Sequence, residues 1–282
     1  MRPGVAAQLQ DEGWRGLRKY AYVVLLGVQN SLVYRTNFLC RAVFNLIPLA
    51  AVIALWRAIY AGSNDVVGGY TVSQMVSYYL LVTIIDSLTS VTDDDWQIAA
   101  DIKDGAVAQL LVRPINYIGY RLCLFASGRM VFTIAAALPV LVFLALQSQY
   151  FVAPPDLMTA SCFVISLALS ALIQFFISFT LASLAFWVLE ISSFVFVLLA
   201  LQRLLGGQMF PLDILPLSLQ RIFVFTPFPY EAFFPASIYL GRMSHGAAIG
   251  GLLVQSGWVV LTWGVARLCW LRGIRRYAAV GG

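Results

Sequence analysis

Residues able to do chemistry are few in this chain, and their spacing denies most familiar reactions. His245 is the only histidine and has no cysteine near it in sequence, so a metal site is not indicated. Cys40, Cys123, Cys162 and Cys269 lie in or beside apolar runs without CxxC spacing. Small buried residues are their expected role, rather than a disulfide framework. The only lysines are Lys19 and Lys103, and neither follows a glycine as the lysine of a phosphate loop must. No GxSxG elbow and no HExxH pair occurs. The carboxylates are sparse, and no two share one apolar span as an intramembrane acid pair requires. An enzyme has little to stand on here.

Composition says what the chain does instead. Of 282 residues, 61% are hydrophobic and only 11% are charged. Soluble domains run nearer a quarter charged, so this is an integral membrane protein. The net charge of +5 does not call for nucleic acid, because the basic residues flank apolar segments, as the positive-inside rule explains. The start of the chain lacks the basic head and short apolar core of a cleaved signal, and its end carries no prenylation box, so its own spans are expected to insert it.

The elements that position these residues follow from periodicity. Trp14, Leu17, Ala21, Val24, Leu25, Val28 and Leu32 recur every three or four residues, with Arg15, Arg18 and Lys19 opposite. This predicts a helix lying in the membrane interface over residues 14–35. Apolar runs predict six spans, at 37–59, 72–91, 122–146, 157–180, 185–205 and 247–270. The second is the least apolar and carries Gln74 and Asp86, so it should face other helices or water. Asp86 either lines a path or hydrogen-bonds near the membrane edge. Glu190 is the natural turn between the fourth and fifth spans and a second candidate for the path. Residues 191–205 would then reach only about 22 Å as a helix, short of a hydrocarbon core of roughly 30 Å.

Two further segments fit neither lipid nor water. In residues 93–121, Asp93 to Asp95 can cap a helix, Ile98 and Ile102 share a face, and Gly105 suits a helix end. Val107, Leu110 and Leu111 start a second short helix that Pro114 stops. An ordinary solvated loop is the plainer alternative to a docking element. Residues 206–243 hold Pro211, Pro216, Pro227, Pro229 and Pro235 among many aromatics, so no long helix fits. Asp213 and Glu231 argue against lipid exposure, yet the segment is too apolar for a free loop. Short helices dipping into one leaflet reconcile both facts. Basic residues before the first span, after the second (Lys103, Arg113, Arg121) and after the last put both termini in the cytoplasm. The fold class is thus all-α: a polytopic bundle with six spans.

NSLVYRTNFL, GGYTVSQMVSYYL, IKDGAVAQLLVRPINYIGY, FPLDILPLSLQRIFVFTPFPYEAFFPASIYLGR and LRGIRRYAAVGG resemble bacterial type-2 ABC exporter permeases over nearly the whole chain. The resemblance implies a permease subunit in the inner membrane that works outward; the sparsely charged interior suits a lipid-like, glycolipid or amphipathic substrate, although the same sequence could bound a path for a polymer. It implies a second permease, identical or homologous, and two copies of a separate ABC ATPase that bind the ATP and magnesium. This chain would bind no cofactor itself. Carried over residue by residue, the ATPase contact falls on residues 14–35, with Trp14 and Arg18, and on residues 96–113, beginning at Trp96, within a coupling loop at 93–118. There Ile98, Ile102, Leu110 and Leu111 would insert into the ATPase, with Asp101, Lys103 and Arg113 on the rim. The re-entrant cap of the path falls on residues 210–239, with Phe210, Pro211, Asp213, Pro227, Pro229 and Tyr230 as its gate. A channel or passive carrier that needs no ATPase is the alternative.

Overall fold

A computed structural model describes residues 3–33, 35–62, 66–89, 93–146, 148–188 and 190–280. Eleven α-helices are found among them: α1 (Pro3–Val33), α2 (Arg35–Ala61), α3 (Val72–Thr89), α4 (Asp93–Lys103), α5 (Ala106–Leu111), α6 (Tyr117–Leu146), α7 (Leu157–Ser183), α8 (Ser192–Leu205), α9 (Leu217–Phe223), α10 (Phe233–Tyr239) and α11 (His245–Val280). The only pairing of strand type among the described residues is one isolated bridge, Val67 to Tyr70. Four helices are long and apolar enough to cross a membrane: 36–61 in α2, 117–145 in α6, 157–186 from α7 onward, and 245–277 in α11.

Several boundaries move from their expected places. α1 begins at Pro3 rather than 14. α6 begins at Tyr117, not 122, because the Asn116 side chain accepts the Gly119 N–H and caps the first turn. α8 begins at Ser192, not 185, because the carboxylate of Glu190 accepts the Ser192 N–H and hydroxyl. α11 runs to Val280, past 270, since no glycine turn or proline stops it. Asp156 caps α7 by accepting the Thr159 N–H at 2.7 Å. That bond, with further help from His245, holds the Asp156 carboxyl below its ordinary value.

α11 runs along α7, and α1 runs along α6, which also packs on α2. At one end of the bundle, the turn before α3, the loop before α7 and the segment before α11 meet. There the Ser77 hydroxyl donates to the Tyr150 carbonyl at 2.8 Å, and Arg242 reaches Gly69. α4 and α5 sit at the opposite end, against α7. Aromatic and aliphatic clusters fill both ends: Tyr60, Tyr70, Met75 and Tyr78 in the first, Tyr117, Phe175, Phe179 and Trp270 in the second.

The packing is tight where α10 meets α11. A Cβ at Gly251 would collide with the buried Phe234 ring, whereas one at Gly250 meets nothing within 4 Å. Gly251→Ala is therefore expected to cost about 1–3 kcal/mol by overpacking, and Gly250→Ala to cost nothing. Thermal unfolding of both variants in detergent checks the difference, and equal melting would refute this contact.

Candidate functional site

α4 and α5 form a platform whose apolar side is turned inward. Gly105 joins them with φ 78°, a left-handed backbone that suits glycine. Ile98, Ile102 and Val107 pack on Tyr117, Phe175, Phe179 and Trp270, and the Tyr117 and Trp270 rings stack 4.3 Å apart. This corrects the expected docking face. Ile98 and Ile102 are only 2% and 4% exposed, and α7 and α11 already occupy their groove. Leu110 is half-buried against the same cluster.

Asp101 is also not on a rim. It is buried with Arg121, which donates to it, and it accepts the Tyr117 hydroxyl at 3.2 Å and the Gln97 amide at 3.1 Å. The described surface that remains includes Gln97, Lys103, Asp104, Gln109, Leu111, Val112 and Arg113. Arg18 of α1 is exposed; the side chains of Trp14 and Trp96 lie outside the described residues. A polar cleft of about 430 Å³ separates α1 from the platform, between Asn30 and Ser31 on one side and Gln109 and Arg113 on the other.

The opposite end carries a latch. Asp213 accepts the Tyr70 hydroxyl at 2.9 Å and Arg242 Nε at 3.0 Å, and the Arg242 guanidinium lies 3.6 Å from the centre of the Tyr70 ring. Burial, and then the Asp213 charge, push the Tyr70 phenol up, so it stays a donor. Pro211 is buried beside the latch and Phe210 is half-buried.

Between latch and platform, residues 206–243 travel deep into the bundle. The Tyr78 and Tyr79 hydroxyls donate to the Gly207 and Met209 carbonyls, at 2.5 and 2.6 Å. Half-buried Asp86 accepts the Gln208 amide at 3.4 Å. Farther on, the turn through Pro227, Pro229 and Tyr230 reaches the midpoint of α7. The Tyr230 carbonyl accepts Ser170 at 2.8 Å and Gln255 of α11 at 2.9 Å. Ser170 lies 13 positions into α7, roughly 20 Å along its axis.

Glu231 follows, 4% exposed, with the Gln202 amide of α8 at 3.5 Å. Gln202 also donates to Gln174 at 2.6 Å. Pro229 and Tyr230 are buried with Glu231, while Pro227 is half-buried. Glu190, by contrast, is exposed at the platform end and makes the contacts of a helix cap, not of an interior path. No group here is set up as a nucleophile or general base. What the arrangement offers is a buried seam of hydrogen bonds that joins α7, α8 and α11 to the turn at 227–231.

The seam was missed by periodicity reading, although a signal exists. Ser166, Ser170, Gln174 and Ser178 recur every four residues in the most apolar run of the chain, and all four are buried. Polar residues on one stripe of a membrane helix mark the side that meets other helices. Gln202, Glu231 and Gln255 had no such repeat to announce them.

A family described as ABC-2 family transporter protein matches residues 46–281 of the chain. No curated protein matches it.

The buried Asp101–Arg121 pair generates a test. Asp101→Ala strands a guanidinium inside the platform and should cost about 3–5 kcal/mol, while adding Arg121→Met should recover most of that loss. Thermal unfolding of the single and double variants checks this, and additive losses would refute the pairing.

Proposed function

We propose, for a chain that belongs to the ABC-2 transporter family and is thereby a membrane permease of ABC transport, that it exports a lipid-like, glycolipid or amphipathic substrate. The family implies an ABC ATPase partner in general, and we assign ATP and magnesium to that partner. Two ATPase copies and two permease chains, identical or related, would complete the assembly.

The observation that carries this reading is the platform. Two short helices are clamped to α6, α7 and α11 by Ile98, Ile102, Val107 and the Asp101–Arg121 pair. They present Lys103, Gln109, Leu111, Val112 and Arg113 outward. A rigid element with an exposed apolar and basic strip is what a motor protein needs to push on. This moves the proposed contact from the buried isoleucines to Leu111, Val112, Lys103 and Arg113, with Arg18 beside them.

Six crossings remain the proposal. Four helices span by length and composition. α3 adds 18 residues, about 27 Å, and α8 adds 14, about 21 Å, completed by the loop that follows it. Residues 206–243 then serve as a re-entrant cap on the outer side, with irregular backbone tolerated because protein covers it. Both termini and the platform face the cytoplasm, in keeping with Lys103, Arg113 and the arginines of α11. ATP binding would draw the platforms together and shift the bundle between two packings. Asp86 remains a candidate lining residue, and a channel or carrier that needs no ATPase is the alternative.

Leu111→Asp should leave the melting temperature unchanged yet strip the co-purifying ATPase from the permease. Undiminished co-purification and nucleotide-stimulated transport would reject the platform contact. A cysteine from Gln109→Cys should react with an impermeant reagent in inside-out vesicles and not in intact cells; labelling from outside would invert the topology.

A further inference from the structure

We propose that α8 is a lever that carries movement of the platform to the buried turn at 227–231. The inference rests on the reading of α4 and α5 as the ATPase dock and says how a push there reaches the opposite end.

One end of α8 is joined to the platform. Ala99 of α4 packs with Ile191 and Val195 in a single buried cluster, with Leu181 and Leu199 at its edge. Glu190 caps the helix, and its carboxyl is held below its ordinary value first by the Ser192 hydroxyl and N–H and then by the charge of Lys103 on α4. A displacement of α4 is therefore felt at the first turn of α8 through packing.

The other end is joined to the seam. Gln202, in the last turn, donates to Gln174 and Glu231. One residue past the helix, the Gly206 carbonyl accepts the Phe233 N–H at 3.0 Å, at the start of α10. α8 therefore holds the deep turn from two sides. α10 then runs back to the latch, where Arg242 meets Asp213.

Between its joints the helix is free on one side. Phe194, Phe196, Val197, Leu201 and Leu204 are exposed, which in a membrane means lipid or a second permease. Its 14 residues make a stiff rod of about 21 Å. Non-helical backbone flanks both ends: residues 187 and 188 with the Glu190 cap on one side, and Gly207 at φ 81° on the other. A rod with joints at both ends and one free face transmits a tilt. α7 and α11 also touch both regions, but they pack along each other and suit the role of fixed frame.

The test uses the permease–ATPase complex in lipid nanodiscs, with native cysteines replaced and spin labels introduced in pairs. Leu157→Cys with Phe225→Cys reports the latch end; Lys103→Cys with Phe194→Cys reports the platform joint. Distances are read by pulsed electron resonance without nucleotide and with ATP plus vanadate. Both pairs should change with nucleotide in the parent complex. Gln202→Ala removes the side-chain half of the far joint, leaving the Gly206–Phe233 backbone bond, and Phe196→Gly with Val197→Gly softens the rod while touching neither joint. In each variant the platform pair should still change and ATP should still be hydrolysed, but the latch-end change should fall below half. A full latch-end change in either variant overturns the lever, as does a parent complex whose platform pair moves alone. If Gln202→Ala does not fold, the glycine pair decides. An absent ATPase, or a platform pair that never responds, sinks the docking reading instead.

Discussion

A backbone carbonyl inside an apolar bundle must find its donor inside that bundle, because lipid offers none. The Tyr230 carbonyl is where this constraint shapes the protein most. It sits half-way along α7 in a segment that five prolines keep from being one helix. Ser170 and Gln255 supply its donors, and Gln255 in turn bonds Ser166. Without these side chains the turn at 227–231 would have to leave the bundle, and α8 and α10 would lose the element that joins them. The polar stripe of α7, Gln255 and the depth of the turn are thus one structural fact seen from three sides.

The platform obeys the same rule with charge in place of backbone. Arg121 belongs to an apolar helix and is 6% exposed. Such a guanidinium is tolerable only with a counter-charge and further acceptors, and Asp101 and the Tyr117 hydroxyl provide them. The pair fastens α4 to the first turn of α6, while Ile98 and Ile102 fasten it to α7 and α11. A short amphipathic helix is marginal alone, so its stability here is borrowed from the bundle. Leu111, Lys103 and Arg113 are therefore held by packing and an ion pair rather than carried on a free loop.

Much of this was legible before any coordinates. The composition required a membrane protein, and the Gly105 joint between two short helices is where the spacing of Ile98, Ile102, Val107 and Leu110 placed it. The prolines between 206 and 243 excluded a long helix, and only short ones occur there. The side on which α4 is buried was read the wrong way round. An amphipathic helix announces that one face will be covered, but its sequence does not say whether its own chain or a partner covers it. The same ambiguity misplaced Asp101, whose partner Arg121 is 20 positions away and was read as a loop cation.

By itself, then, the order of residues determined the class, the helices and the places where helix could not continue, because hydropathy, capping and proline act over a few neighbours. Only the tertiary structure decided which polar atoms answer one another. Ser170 with Tyr230, Gln202 with Glu231, and Tyr70 with Asp213 are separated by 60, 29 and 143 positions. Hydrogen bonds need contact within about 3.5 Å, and no local pattern encodes contacts that arise when α7, α8 and α11 close around a folded-back segment.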